Sequence, residues 1–228
     1  MTQKEISVEL SIDPELRRAA PNLALGVVCA AVQVREHDEQ LWALITRRAE
    51  EILRTQDLET LPELPEIQAL RRVFRATGKE PSRYRGSQES LFRRILQGKG
   101  LVAINTIVDI NNLISLESAH SVGCYDLAQV HGSVTFRVGQ PGESYPKIGK
   151  EVINVAGLPV FVDQDGPFGS PTRDSGRTRI SLESTKILMV IISFAGSNRL
   201  DEFVQRAAEL LRIHASADAN TLRHFMVV

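Results

Sequence analysis

The fold is decided by the stretch Asn105–Glu143, NTIVDINNLISLESAHSVGCYDLAQVHGSVTFRVGQPGE, where the hydrophobic period changes partway. Over NTIVDINNLISLESA the apolar residues Ile107, Ile110, Leu113 and Ile114 recur at helical spacing, and Asn105 with Thr106 supplies a cap, so a helix is expected there. Past the glycine-bearing VGCYDL, the segment GSVTFRV alternates as a strand does, and GQPGESYPKIG is rich in turn residues. Asn105, Asp109 and Asn112 lie at i, i+4 and i+7, which stacks three polar side chains on one face of an otherwise apolar helix. Such a stripe lines a ligand pocket, or else Asn105 caps the helix, Asp109 complements its dipole and Asn112 meets solvent.

Working outward, the C-terminal side gives a strand in VINVAGLPVFVD, the loop SPTRDSGRTRISLESTK from Ser170 to Lys186, the apolar strand KILMVIISF, and an amphipathic helix beginning at Ser197 or Asn198. The loop gathers Arg173, Arg177, Arg179 and Lys186 among Asp174, Ser175, Thr178 and other hydroxyls. It is either a solvated turn or a site for a polar, anionic ligand. Toward the N-terminus, ISVELSI reads as a half-buried strand, Asp13-Pro14 as a helix start, NLALGVVCAAVQV as a buried strand or a strand pair bent at Gly26, and EQLWALITRRAEEILR as a helix capped by Asp38. A proline-rich break then precedes two helical segments, EIQALRRVFRATG and SQESLFRRILQG, the second with a capping signature at Ser87–Ser90.

The charge is uneven. The 228 residues sum to −1, yet eight bases against two acids fall between Arg71 and Arg94, and Glu50 to Glu66 is acidic. Within the basic part Arg71, Arg72, Arg75, Arg83 and Arg85 are candidate phosphate contacts, and Tyr84 is the candidate surface aromatic for stacking on a base. Phe74 and Phe92 read as core anchors.

Composition narrows the remaining classes. With 43% hydrophobic and 24% charged residues the chain reads as globular rather than disordered. Cys29 and Cys124 are far apart in apolar or glycine-rich settings, which fits neither a disulfide framework nor a zinc repeat and points to a reducing, cytoplasmic setting. The N-terminal residues lack the apolar core of a secretory signal, and the longest apolar run is too short to span a membrane. No metal or cofactor motif, no phosphate loop and no nucleophile elbow occurs. Of the five histidines, His120 is the candidate pocket residue, with carbonyl capping at a helix C-terminus as its structural alternative.

The NxxVDxxN helix, the GCYDL stretch, the GE turn after an outward-pointing Arg137, a DxxG turn and the RDSxRTxI loop leading into a Thr-Lys apolar strand together resemble the B3/B4 domain of the phenylalanyl-tRNA synthetase beta subunit. They are still more similar to free-standing proteins built from that domain alone. The resemblance covers Arg71 to Ala195 and leaves the segment before it unmatched. It implies an α+β fold, a single B3/B4-like domain in which a mixed sheet and packed helices leave a pocket at their junction. Residues 67–228 would form the core and residues 1–66 a strand and helix portion packed on it.

The implied pocket set is Asn105, Asp109, Asn112, Gly123, Tyr125, Asp126, Arg173, Asp174, Ser175, Arg177 and Thr178. In the synthetase the module hydrolyses tyrosine wrongly esterified to tRNA, and bacterial modules read HAFD where this chain has GCYD. Gly123 therefore stands in place of a histidine and Arg177 in place of a glutamate, adding positive charge to the implied pocket. The resemblance implies tRNA or aminoacyl-tRNA as partner, with ester hydrolysis in trans as the activity to test and no aminoacylation. The alternative is a small amino-acid-like or other anionic ligand held without RNA.

Overall fold

The computed structural model describes residues 6–149 and 151–228; the first five residues of the N-terminal segment lie outside them. The elements run β1 (Leu10–Ile12), α1 (Pro14–Ala19), β2 (Ala24–Ala31), α2 (Glu39–Thr55), α3 (Pro65–Ala76), α4 (Ser87–Leu96) and α5 (Thr106–Ser118). They continue with β3 (Ser121–Asp126), β4 (Val134–Val138), β5 (Ser144–Pro146), β6 (Val152–Asn154), β7 (Pro159–Asp163), β8 (Gly166–Gly169), β9 (Lys186–Ser193), α6 (Leu200–His214) and β10 (Arg223–Val227).

The fold is α+β, and its strands divide between two four-stranded sheets and a hairpin. One sheet has the order β10-β2-β9-β3 and is antiparallel throughout. The other, β1-β4-β7-β8, is mixed, because β1 joins β4 in parallel. β2 and β9 are apolar at almost every position because both faces of their sheet are covered. Leu25, Val27, Cys29, Leu188, Val190 and Ile192 meet the second sheet, while Ala24, Val28, Ile187, Met189 and Ile191 meet α2, α5 and α6.

Gly26 does not bend its strand. A Cβ there would stand 2.4 Å from Val204 Cγ2, so the glycine lets α6 approach the sheet. The N-terminal segment thus supplies a strand with neighbours on both sides, β2 between β10 and β9, as well as the β1 edge.

Capping follows local chemistry. Asp13, Asp38 and Asn105 each accept amide hydrogen bonds from the first turn of α1, α2 and α5. At α4 the cap is Gly86 rather than Ser87, whose amide donates to Pro171 O at 2.7 Å. The expected outward Arg137 folds back into a bidentate pair with Glu143 at 2.8 and 2.6 Å.

Candidate functional site

A cavity of about 730 Å³ opens at the N-terminal end of α5. The helix contributes Asn105, Val108 and Asn111, and Ile104 precedes them. β3 contributes Cys124, the loop before β9 contributes Asp174 and residues 179–182, Glu36 comes from the turn before α2, and Ile148 from the β5–β6 hairpin. The walls are mainly apolar, and Ile104, Ile148 and Leu182, each at least half exposed, form the rim.

The loop that carries Asp174 is fixed by backbone bonds. Ser175 N donates to Phe168 O at 2.8 Å and Gly176 N to Pro146 O at 2.9 Å, while Tyr145 Oη donates to Arg173 O at 2.7 Å. Asp174 itself receives a hydrogen bond from the buried Tyr125 Oη at 3.0 Å. Among the described residues no arginine reaches its carboxylate, so burial dominates over the bonds from the Tyr125 phenol and the Ser170 backbone and raises its pKa to about 7. Burial, with Asp174 nearby, also pushes the Cys124 thiol well above its ordinary range, which keeps it protonated and unreactive.

On the other face of β3 the Tyr125 ring packs edge-on against Phe161 and Phe168, at 5.9 and 4.9 Å between centroids. A Cβ at Gly123 or at Gly169 would each stand 2.2 Å from Tyr125 Oη. The space a side chain at position 123 would need is therefore filled by the phenol that holds Asp174.

The orphan acceptor of the site is Asn111. Its Oδ1 is buried with no hydrogen-bond partner among the described residues, although buried polar atoms are as a rule satisfied. Thr178 Oγ1, within the loop, is the second such atom among the described residues. Asn105 uses its Oδ1 on the amides of Ile107 and Val108, at 3.1 and 3.0 Å, leaving its Nδ2 as a donor.

Of the implied pocket set, Asn105 and Asp174 border this cavity and the others do not, while Arg179, singled out with the loop, also lines it. Asp109 faces α2 and the entry loop, accepting from Trp42 Nε1 at 2.7 Å and Ile104 N at 3.2 Å; burial raises its pKa against those two bonds. Asn112 is half-buried outside the lining, and Arg173 is exposed outside it. Arg177 adds no positive charge to the cavity. Its guanidinium pairs bidentately with Asp163 at 2.8 and 3.0 Å and lies over the Phe168 ring.

Asp126 accepts from Ser184 Oγ at 2.7 Å and from Ala128 N at 3.0 Å, and its own amide donates to Thr178 O. Ser175 is buried and accepts from Arg177 N. These residues tie the loop down rather than line the site. Asn111, Cys124 and Glu36 were not expected in the lining. At 100° per residue, the Asn105–Asp109–Asn112 stripe is rotated by roughly 60° from the face that looks into the cavity.

The basic helices show a similar redirection. Arg71 and Arg93 grip the buried Glu89 at 2.7 and 2.8 Å, and Arg85 stands 3.8 Å from it. Tyr84 is not a free surface aromatic, because it is half-buried against Phe74 with Lys79 over its ring. Arg72, Arg75 and Arg83 remain exposed. Arg72 and Arg75 share a shallow depression with Pro62, Glu63 and Gln68 that has no residue in common with the cavity.

A model of the B3/4 domain matches residues 69–219. The beta subunit of phenylalanine–tRNA ligase from Chromobacterium violaceum is 44% identical over 52 residues, 23% of this chain and 7% of that protein. The Brucella abortus beta subunit is 29% identical over 83 residues, 36% of this chain and 10% of that protein, and the Nitrosospira multiformis one 32% over 78 residues, 32% and 10%. The chain therefore spans no more than 10% of these relatives' own length. Among solved structures, an N-terminal fragment of the beta subunit from Pyrococcus horikoshii is similar with a TM-score of 0.48 and 11% identity, over 99% of this chain and 55% of that one. Among the described residues no helix is long and apolar enough to cross a membrane, and no group of three or more His, Cys, Asp and Glu is placed to hold a metal ion.

Proposed function

Since the chain belongs to the B3/4 domain family, we propose that its cavity receives the aminoacyl group of a charged tRNA and that the protein hydrolyses the ester in trans. One observation carries this reading: in a mainly apolar cavity the half-buried Asp174 carboxyl and the orphan Asn111 Oδ1 are acceptors that no cation pairs with among the described residues, the lining Arg179 being exposed. An aminoacyl ester presents the complement, an apolar side chain beside an α-ammonium with three N–H donors. A carboxyl whose pKa is near 7 is suited to general-base work at neutral pH.

In this reading Asp174 takes a proton from water as the water oxygen attacks the ester carbonyl carbon. The bond from that carbon to the ribose oxygen breaks, and the proton on Asp174 passes to the departing hydroxyl. The side-chain amides of Asn105 and Asn111 and the Arg179 guanidinium are the donors available to the oxyanion. No protein nucleophile is needed, which fits a cavity whose cysteine is held as the thiol.

Purified protein incubated with a panel of correctly and wrongly charged tRNAs should release amino acid faster than buffer from a subset of them. Asp174→Asn should abolish that rate while binding persists. Release from no charged tRNA, with calorimetric binding of free amino acids, would instead establish a small-ligand protein. That second reading is favoured by one feature, the use of Arg71 and Arg93 on Glu89 rather than on an open surface.

A further inference from the structure

The opposite end of α5 borders a second cavity, about 460 Å³. His120, just past the helix, lines it together with Glu66 from the first turn of α3 and with Asn198 and Phe203 from the start of α6. His120 is only 5% exposed. Its main-chain groups are satisfied, the amide by Ser118 Oγ at 3.2 Å and the carbonyl by Ser115 Oγ at 2.7 Å. Its ring nitrogens have no hydrogen-bond partner among the described residues, and the ring stands edge-on to Phe203 at 6.2 Å. It therefore does not cap the helix through its ring, which was its structural alternative. Because the ring nitrogens are not among the buried atoms left without a partner, they open to the cavity and are available to a partner from outside the chain. Burial lowers its pKa to about 4, so at neutral pH one ring nitrogen is an acceptor.

The charges at this cavity are mostly cancelled in pairs. Glu117 pairs with Arg206 at 3.4 Å, and Arg199 with Glu202 at 3.0 Å. Glu66 has neither an ion pair nor a hydrogen bond through its side chain among the described residues, and it adds its charge to the negative end of the α5 dipole. An anion would meet that unpaired carboxylate.

We propose that this cavity binds a small organic amine in its ammonium form, with Glu66 as counter-ion, His120 as hydrogen-bond acceptor and the alkyl part against Phe203. An unpaired carboxylate and a neutral imidazole provide acceptors for ammonium donors, while the Phe203 ring, which already carries the Arg199 guanidinium 5.4 Å from its centroid, offers the methylenes an apolar contact.

Calorimetry and the His120 ring signals in NMR test this with 1,4-diaminobutane and n-butylamine as probes, against 1-butanol and acetate. Saturable binding of the amines alone is expected, with displacement of the His120 signals. Glu66→Gln should weaken it at least tenfold and His120→Phe should do the same, while behaviour at the first cavity stays as in the parent. Glu66 lies half-buried in a first helical turn, so its neutral isostere keeps the test valid even if His120→Phe perturbs the fold. Absence of saturable amine binding, equal binding of 1-butanol or acetate, or amine binding unchanged in Glu66→Gln would each overturn the proposal.

Discussion

Two carboxylates, Glu89 and Asp174, sit in opposite company. Glu89 is 1% exposed and is held by the guanidiniums of Arg71 and Arg93, with Arg85 further out. Asp174 receives a phenol hydroxyl and, among the described residues, no cation, although arginines stand on both sides of it in the sequence. The first arrangement uses charge to join α3 to α4 and is closed to a ligand. The second leaves a carboxyl short of partners at a cavity wall. Local arginine density therefore says little about where positive charge acts; the nearest carboxylate in space decides it.

The sharpest way to break the contrast is to remove Glu89. Glu89→Gln leaves Arg71 and Arg93 facing a neutral group in a tight site, and breaking a buried pair from one side costs about 3 kcal/mol at the low end, appropriate because both guanidiniums keep some solvent. Denaturant unfolding should show that loss, with the first cavity's ligand binding intact in the folded protein. A loss below about 0.5 kcal/mol would place Glu89 among ordinary surface pairs.

The next test addresses the phenol that holds Asp174. Gly123→Ala sets a methyl against Tyr125 Oη, and overpacking of this kind costs about 1–3 kcal/mol. In the Tyr125→Phe background the oxygen is gone, so the same substitution should cost less, and a double-mutant cycle measures the coupling. Additive effects would mean that the ring moves aside freely.

Asp174 should also make stability fall with pH. Its folded-state pKa of about 7 is above the roughly 4 of an exposed aspartate. The protonated carboxyl's contribution is full below about pH 4 and is lost as pH rises through about 7. Asp174→Asn, which can still accept from Tyr125, should flatten that slope and be the more stable form at pH 8. A parent curve already flat between pH 4 and 7 would sink the assignment.

What was legible in the sequence follows from range. β2 and β9 declare burial on two faces by their uninterrupted apolar residues, and Asp13, Asp38 and Asn105 declare helix starts within a few residues of themselves. β3 is obscured because Gly123 and Asp126 break any alternation, and β10, RHFMV, is a polar edge that only its pairing with β2 reveals.

At the site, Asn105 and Asp174 could be chosen from local pattern. Arg177 could not be excluded, since Asp163 is fourteen residues away across the β7–β8 hairpin. Likewise nothing in NTIVDINNLIS says whether Asn111 or Asn112 faces the cavity; the direction is set by α2 and β3 packing on α5.

The smallest expected effect concerns the arginines that Glu89 does not hold. Arg72, Arg75 and Arg83 are exposed, and none forms an ion pair with an acidic side chain among the described residues. If the tRNA proposal is correct, they meet the phosphates, whereas Arg71 and Arg93 stay occupied with Glu89. Removing one phosphate-binding arginine should lower the slope of log affinity on log salt by about 0.7–0.9. Arg72→Gln with Arg75→Gln should then weaken binding of unrelated tRNAs alike and reduce the slope by at most about twice that amount. Stability should change little, because neither side chain is packed. Filter binding over a salt series gives both quantities. An unchanged slope with unchanged affinity would remove Arg72 and Arg75 from the tRNA contact.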